Sequence, residues 1–450
     1  MGFDVDIWEQ SRIADFLDST PEGQWLRKEY LGVNAEMLSE SLLGDLCKQS
    51  LANYQKEYIP SSDSLVPREI DIKVEKGTYS NTYTIQLLIG ESGSGKSVAA
   101  YQLLKKYIES GGYGLWVSDS VANGCDSLQN LLDRVLQNLY PSLLPDAGSS
   151  VLQFIPESSR LLLIVDDVNR TDNPTRLVQK LINWFKPQQS GTSDSKPVFS
   201  PYLLVCPVWS KVSSPISLDF KEKPWINPVF INSMNSEEGM AAIQSVTSLA
   251  GREITNTEAT YLAKKLDNDP ILIGLFYELL LSNTQQYELE RFTENVIEQF
   301  ITTTLSESSN FGTFLENEYR ASLSTVATQM LKSRKWNPLW TDIEEWLRES
   351  SDKLTALREL IKHKALCRLT QENRFVFRHD RIRETLLVES MIKLLADTTP
   401  DSDILYEPFY AEIIGQAIAR SPQSQEFFRE LRNRLPLALV EAIRITYFIK

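Results

Sequence analysis

The segment LLIGESGSGKS constrains this chain most, because an apolar run leads directly into a glycine-rich turn that ends in Lys96 and Ser97. Four residues separate Gly90 from the Gly-Lys-Ser triplet, which is the P-loop spacing. Small residues let consecutive backbone N–H groups turn towards phosphate oxygens, and a following helix directs its positive end to the same point. We therefore predict a phosphate site formed by Gly90, Ser92, Gly93, Ser94, Gly95, Lys96, Ser97 and Val98.

Lys96 and Ser97 have different expected roles at this site. Lys96 can reach the β- and γ-phosphates as a point charge, which makes it a candidate catalytic residue, while the Ser97 hydroxyl suits one coordination position of Mg²⁺. The expected cofactors are ATP or ADP with Mg²⁺. The flanking segments TYTIQLLI and SVAAYQLLKKYIES predict a buried strand and a helix with an apolar stripe, as the pattern requires.

A second apolar run, RLLLIVDDVNR, ends in the carboxylates Asp166 and Asp167. A central parallel strand that opens onto a nucleotide has this pattern. We assign Asp166 to the Mg²⁺ shell with Ser97, and Asp167 to orienting or deprotonating the attacking water. For Asp167, a helix N-cap or a solvated loop carboxylate is the alternative. The third run, SPYLLVCPVW, has few polar residues at its end, so a γ-phosphate sensor stays unassigned.

Composition excludes several classes of protein. A net charge of −14 argues against a chain that binds nucleic acid or anionic membranes over its whole surface. No segment approaches the roughly 20 apolar residues of a membrane span, and the N-terminus lacks a signal-peptide core. The four cysteines have no paired spacing and there are two histidines, so neither a disulfide framework nor a zinc site is encoded. We expect a cytoplasmic protein.

Period changes along the chain predict five regions. These are an N-terminal helical segment or linker (1–64), a P-loop NTPase domain (65–230), a helical lid (231–305), a winged-helix domain (306–395) and the start of a C-terminal helical region (396–450). Alternation in PREIDIKVEKG predicts an edge strand before the P-loop strand. The composition of residues 186–201 predicts a polar loop without regular structure.

The second half of the chain has helical periodicity. NSEEGMAAIQSVTSL opens like a capped helix, and Pro270 has to begin a new helix because it cannot continue the previous one. From residue 354 the order is helix, strand, tight turn, strand, helix, which with two preceding helices is a winged-helix order. The predicted fold class is α/β: a three-layer α/β/α P-loop NTPase domain with a parallel sheet, followed by a helical bundle and a winged helix.

Three motifs in this order, GESGSGKS, LLLIVDDV and FRHD, resemble those of the STAND class of P-loop NTPases, which includes the NACHT and NB-ARC switch proteins. The resemblance covers roughly residues 65–395. It implies that Pro270, in LDNDPILIGL, packs near adenine and ribose, and that His379 contacts the β-phosphate of bound ADP. The chain departs from the family at Arg378, where methionine is frequent, and at the end of the third strand, where many members carry arginine.

The resemblance implies a slow Mg²⁺-dependent ATPase that works as a switch. ADP closes a monomer, while ATP and a protein ligand open it into a homo-oligomer that activates a linked effector. The opening DIWEQSRIADFLDSTPEGQWLRKEYLG is similar to segments that follow nuclease-type effectors in bacterial antiviral STAND proteins. This implies prokaryotic anti-phage defence, an N-terminal effector domain missing from this chain, and a ligand such as a phage protein, with no membrane and no direct nucleic-acid partner for this core.

Two other classes of protein also fit these motifs. An AAA+ initiator-type ATPase also joins a P-loop domain to a winged helix; it more often has glutamate at the position of Asp167, and it binds duplex DNA with a steep salt dependence. A nucleotide-stabilised scaffold would bind without turnover. Arg378, Arg381 and Arg383 fit a solvated basic face, an inter-subunit arginine finger or a DNA contact.

Overall fold

The computed structural model of the chain describes residues 13, 16–17, 20–30, 36–58, 68–80, 82–171, 173–187, 200–210, 212–213, 222–282, 289, 295–363, 366–370, 373–396, 410–421 and 440. The chain forms two compact units, Met1–Ser233 and Met234–Lys450. Most of the predicted polar loop and most of the segment after residue 421 lie outside the described residues.

The first unit is built on a parallel sheet of five strands. They are Ile85–Ile89 (β1), Tyr113–Val117 (β2), Leu161–Val165 (β3), Tyr202–Val208 (β4) and Ile226–Phe230 (β5). Their order is β2-β3-β4-β1-β5, and every neighbouring pair is parallel. All residues of β1 and β3 are buried, including the polar Gln86 of β1, as expected for strands covered on both faces.

Helices cover both faces of this sheet. The helices of the first unit are Pro21–Tyr30 (α1), Glu40–Tyr58 (α2), Glu69–Thr78 (α3), Lys96–Glu109 (α4), Asp119–Asn123 (α5), Leu128–Leu139 (α6), Ala147–Ser150 (α7) and Pro174–Trp184 (α8). Successive β3 side chains enter two separate apolar clusters, one shared with α6 and α8 and the other with α3 and α4. The predicted three-layer α/β/α P-loop fold is confirmed.

Helix α2 belongs to the same compact unit as the sheet, although the sequence placed it in a segment ahead of the NTPase domain. Its residues enter both apolar clusters, with Leu43 and Leu46 in one and Tyr54 in the other. The helix lies against β2, the edge strand of the sheet, and therefore covers an edge that would otherwise offer unpaired backbone groups.

The predicted edge strand in PREIDIKVEKG is wrong, because this segment is the helix α3. Ile70 and Val74, four residues apart, are buried on one helical face, while Ile72 is 54% exposed. The alternation of Ile70, Ile72 and Val74 resembles a strand, but burial follows the helical period. The strand on that side of the sheet is β5, which the sequence did not predict. Its Pro228 fits an edge position, since among the described strands β5 pairs with β1 alone.

The second unit is mainly helical. Its helices are Ser236–Leu249 (α9), Asn256–Lys265 (α10), Pro270–Ser282 (α11), Val296–Phe311 (α12), Glu316–Ser333 (α13), Trp340–Trp346 (α14), Ser351–His363 (α15), Asp380–Leu395 (α16) and Ala411–Arg420 (α17), and its strands are Cys367–Leu369 (β6) and Phe375–Phe377 (β7). Strands β6 and β7 are antiparallel, and Leu339 bridges to Arg374 beside them. The order of α13, α14, α15, β6, β7 and α16 is the winged-helix order expected from the sequence.

Among the residues that the structure describes, no helix is both long enough and apolar enough to cross a membrane.

The burial of α3 gives a test of its helical structure. We expect Val74→Ala to lower the free energy of unfolding of the first unit by about 2 kcal/mol, because Val74 is fully buried. Ile72→Ala is the matched control and should change it by less than about 0.5 kcal/mol. Urea unfolding followed by hydrogen exchange in peptides of this unit measures both. Equal losses in the two variants would contradict the helical assignment.

Candidate functional site

The P-loop connects the end of β1 to the start of α4 at one edge of the sheet. Gly93 and Gly95 have φ values of 87° and 91°, a left-handed conformation that glycine adopts without a steric penalty. A Cβ atom at Gly90 would lie 2.3 Å from the Ile231 carbonyl oxygen and 2.7 Å from Ser94 Oγ. The loop therefore requires glycine at these positions, and its backbone can approach a phosphate closely.

Lys96 and Ser97 begin α4, as the P-loop pattern predicts. Lys96 is 6% exposed, and its Nζ donates to the Glu91 carbonyl oxygen at 2.5 Å and lies 3.5 Å from Ser94 Oγ. The ammonium is thus held over the loop that it follows. A phosphate in the loop would meet a fixed positive charge together with the N-terminal end of α4.

A buried arginine that the sequence analysis missed braces the P-loop. Arg68, at the start of α3, donates from one guanidinium nitrogen to the Ser94 carbonyl oxygen at 2.7 Å and from another to the Asn232 carbonyl oxygen at 2.9 Å. The planar guanidinium suits two acceptors at once. Arg68 therefore joins the loop to the segment that follows β5. Its sequence signal was hidden because the surrounding alternation indicated a strand.

Asp166 follows β3 directly and is 2% exposed. Its Oδ1 accepts the Asp167 N–H at 2.7 Å, and its Oδ2 accepts the Tyr54 hydroxyl at 2.7 Å. The same hydroxyl lies 3.1 Å from the Ser97 carbonyl oxygen. Because one hydroxyl reaches both residues, Asp166 and Ser97 lie within two hydrogen-bond lengths of each other.

These donors fit the expected Mg²⁺. A magnesium ion that also binds nucleotide phosphates takes only one or two protein ligands, usually oxygens, and keeps several waters. The Asp166 carboxylate would supply one such oxygen, and the hydroxyl of Ser97, whose backbone carbonyl shares the Tyr54 contact, would supply the other. Within the described part of the chain, no three or more His, Cys, Asp or Glu side chains form a cluster that could hold a metal without a nucleotide.

Asp167, the residue after Asp166, has an unusual backbone conformation and an ion pair of its own. Its backbone is left-handed, with φ 60°, and its Oδ2 forms an ion pair of 2.8 Å with Arg170. Neither side chain is more than a fifth exposed. To orient a water molecule, as the sequence analysis proposed, the carboxylate has to leave or share this ion pair.

The end of β4 is tied to the same region through Asn169. Its Oδ1 accepts the N–H of Trp209, which is 8% exposed. Many members of the family that the sequence resembles carry arginine at this point of the chain. The contact fixes the chain after β4 relative to the segment after Asp166. Because neither Asn169 nor Trp209 carries a positive charge, no residue is assigned here as a sensor of the γ-phosphate.

In the second unit, Asp269 and Pro270 begin α11. The Asp269 carboxylate accepts the N–H groups of Ile271 and Leu272 at 2.8 and 3.3 Å, while Pro270 occupies the first helical position, where no N–H is needed. Asp267 and Asn268 precede them with φ values of 53° and 49°. Pro270 therefore starts the helix as predicted, and packing against adenine remains an implication of the resemblance.

The segment that contains His379 is bound to the same helix by two ion pairs. Arg378 binds Glu278 of α11 through both of its terminal nitrogens, one of them at 2.9 Å, and Arg381 contacts Asp269 at 3.3 Å. His379 precedes α16, and its side chain is half-buried. The two arginines on either side of it fix its backbone next to α11, so the structure brings the Pro270 and His379 motifs together.

The three arginines around His379 are all paired within this unit, which disfavours a solvated basic face. Arg383 is 4% exposed, contacts Asp380 at 3.0 Å and stacks 4.5 Å from the Trp336 ring centroid. Burial raises the pKa of Asp269, and Arg381 opposes that rise.

The likeness to known proteins is low. None of the protein-family models matches the chain, and no curated protein matches it at a significant level. Among solved structures, a Walker-type ATPase of Pyrococcus abyssi is 13% identical, covers 72% of this chain and 96% of its own, and has a TM-score of 0.37. The ORC2 protein of Aeropyrum pernix is 9% identical, with coverage of 72% and 94% and a TM-score of 0.38.

The RuvB Holliday junction branch migration motor of Thermotoga maritima is 16% identical, covers 70% of this chain and 94% of its own, and has a TM-score of 0.32. All three TM-scores are below 0.5, so these likenesses do not define the fold. The order of the strands and the geometry of the P-loop define it instead. The first unit has the fold of a P-loop NTPase.

The charged side chains at the start of α16 predict that the free energy of unfolding of the second unit depends on pH. Burial raises the pKa of Glu384 to about 7; Asp380 and Glu412 add to the rise, and Arg381 and Arg383 oppose it. The folded chain then binds this proton more tightly than the unfolded chain, whose pKa is near 4.5. The contribution of Glu384 to the free energy of unfolding therefore falls as pH rises from about 4.5 to about 7, by up to about 3 kcal/mol.

We expect Glu384→Gln to stabilise the second unit at pH 8 and to do so much less at pH 5, because the parent carboxyl is already neutral there. The measurement is urea unfolding at both pH values, followed by hydrogen exchange in peptides of α16. The exposed Glu349 provides the control variant Glu349→Gln. A stabilisation that is the same at both pH values would rule out the raised pKa as its cause.

Proposed function

We propose that this chain is a STAND-type switch that binds ATP or ADP with Mg²⁺, hydrolyses ATP slowly, and opens and oligomerises to activate a linked effector. The observation that carries the nucleotide part is the meeting of the P-loop, Ser97 and Asp166 at one edge of the sheet. When bound, Mg²⁺ would neutralise charge on the β- and γ-phosphates. Lys96 would bind the phosphates, and Asp167 would orient the attacking water.

A switch requires that ADP and ATP bind two conformations of the chain with unequal affinity, since equal affinity shifts no population. A tenfold difference corresponds to about 1.4 kcal/mol, whereas nearly complete conversion needs about 5.5 kcal/mol. Nucleotide and protein ligand therefore act together. We propose His379 as the residue that discriminates between the nucleotides, because an imidazole can donate to a terminal β-phosphate but meets altered charge and space when a γ-phosphate is present.

The charges of the winged helix argue against the alternative of an AAA+ initiator-type ATPase that binds duplex DNA. Helix α15 precedes the β6–β7 hairpin, where a winged helix places its DNA-reading helix. Its exposed side chains include Asp352 in the first turn as well as Lys362 and His363 in the last, and its Arg358 is ion-paired with Glu344 at 2.8 Å. A DNA-reading surface needs a clear excess of basic groups. The prokaryotic anti-phage setting rests on the resemblance of the N-terminal segment.

Nucleotide binding is tested first with Lys96→Ala. We expect this variant to lose binding of a fluorescent ADP analogue, because the loop loses its buried positive charge, whereas Lys106→Ala on the exposed part of the same helix keeps the parent affinity.

Asp167→Asn should still bind ATP, and asparagine tolerates the left-handed backbone. Its single-turnover hydrolysis should fall about 100-fold or more. Binding by Lys96→Ala, or unchanged hydrolysis by Asp167→Asn, would reject the corresponding role.

The switch itself is tested with His379→Ala. We expect faster ADP release and more oligomer in the absence of ligand, because the closed form loses its contact with the diphosphate. The other histidine of the chain provides the control His363→Ala, which lies exposed at the end of α15. ADP release by stopped-flow fluorescence and mass by light scattering measure both effects. If His379→Ala retains ADP as well as the parent and stays monomeric, the histidine does not discriminate nucleotides.

A further inference from the structure

Tyr54 lies far from every nucleotide motif in the sequence, yet its hydroxyl reaches the metal-site carboxylate. The residue is fully buried on α2. Its hydroxyl lies 2.7 Å from Asp166 Oδ2 and 3.1 Å from the Ser97 carbonyl oxygen. A hydroxyl has one proton, so the nearer and charged acceptor, Asp166, receives the main hydrogen bond.

The helix that carries Tyr54 is fixed along the edge strand β2. The Ser50 hydroxyl accepts the Trp116 N–H at 2.8 Å. One turn earlier, burial raises the pKa of the Cys47 thiol to about 12, and the backbone N–H of Gly114 opposes that rise. Gly114 and Trp116 are alternate residues of β2, so both N–H groups point away from β3. These contacts set the position of α2 along the strand.

Two aromatic contacts then fix the Tyr54 ring. It stacks on Trp116 with ring centroids 5.4 Å apart and an interplanar angle of 5°. It also meets Tyr101 of α4 edge-on, with centroids 6.0 Å apart. A ring held on two sides cannot swing its hydroxyl away without losing both contacts. The position of the hydroxyl is therefore set by the packing of α2, β2 and α4.

We propose that Tyr54 is a positioning residue that orients the Asp166 carboxylate for Mg²⁺, an inference that rests on the proposed nucleotide function. Asp166 Oδ1 is held by the Asp167 N–H and Oδ2 by the Tyr54 hydroxyl. Each oxygen keeps a further lone pair for the metal or its waters. Rotation of the carboxylate would break both bonds, so the remaining lone pairs keep a fixed direction beside Ser97.

The same contact couples α2 to the occupancy of the site. Mg²⁺ and nucleotide bind best when Asp166 has the orientation that Tyr54 holds. By linkage, their binding stabilises the docked position of α2. A helix that begins 56 residues before Lys96 in the sequence thus responds to the metal-bound nucleotide.

The test compares Tyr54→Phe with Tyr107→Phe. Both substitutions keep the ring and remove one buried hydroxyl of the same unit; that of Tyr107 donates to the Arg160 carbonyl oxygen at 2.8 Å, at the opposite end of β3. A fluorescent ADP analogue is bound in EDTA and then titrated with Mg²⁺. We expect Tyr54→Phe to keep the parent affinity in EDTA and to need about 10-fold more Mg²⁺ for half of the metal-dependent change. Tyr107→Phe should match the parent in both.

Hydrogen exchange in α2 gives a readout that does not depend on the fluorescent probe. In the parent and in Tyr107→Phe, ADP with Mg²⁺ should slow exchange in α2 more than ADP with EDTA does. In Tyr54→Phe this additional protection should be lost, while the melting temperatures of the two variants stay within a few degrees of each other.

Three outcomes would overturn the proposal. Tyr54→Phe could show the Mg²⁺ dependence of the parent, so that its hydroxyl does not orient Asp166. It could weaken binding equally in EDTA and in Mg²⁺, which would make the hydroxyl a general support of the P-loop. A parent protein that binds no nucleotide in either condition would remove the proposed function as well, and this result is distinct from the first two.

Discussion

A parallel sheet covered on both faces decides where chemistry can occur in the first unit. Its strands use their backbone groups for pairing, and their apolar side chains fill the two layers of the core. A polar side chain within the sheet needs hydrogen-bond partners, as Gln86 of β1 has in Val74 and Thr78 of α3, whereas the groups that could bind a ligand lie where the strands end. Strands β1 and β3 end at the same edge with β4 between them, which separates them by about two strand spacings, or roughly 10 Å. The P-loop and Asp166 meet there for this reason.

Burial of Asp166 sets a second requirement. A carboxylate that is 2% exposed is costly unless donors satisfy it. The chain supplies one donor from the next residue, Asp167, and one from Tyr54, which lies 112 positions earlier. The N-terminal helix α2 therefore performs two tasks: it covers the exposed edge of β2 and it satisfies the charge at the end of β3. Stability and the geometry of the candidate metal site depend on the same docking contact.

In the second unit, ion pairs fix the position of the candidate functional segment around His379. In the first unit, the backbone conformation of the P-loop fixes the candidate phosphate site. Arg378 departs from the methionine frequent in the resembled family, and the structure gives a local reason, because its guanidinium binds Glu278 bidentately. Arg381 and Asp269 form a second link between α16 and the start of α11. Such pairs hold a segment in register when both partners are largely shielded from water. His379 lies between the two arginines. Their ion pairs fix its backbone position without involving the imidazole ring.

The sequence by itself determined the elements whose signals are local. The P-loop, the apolar strands β1 to β4, the start of α11 at Pro270 and the order of the winged helix follow from spacing, periodicity and glycine or proline chemistry within a few residues. Local patterns failed at α3, where Ile70, Ile72 and Val74 alternate like a strand while burial follows a helix. Only the tertiary structure decided that Tyr54 and Arg68 reach the candidate nucleotide site, because a hydrogen bond between distant residues leaves no period in either segment. The pairing of Arg378 with Glu278 was hidden for the same reason: sequence records which groups can pair, and packing selects the partners.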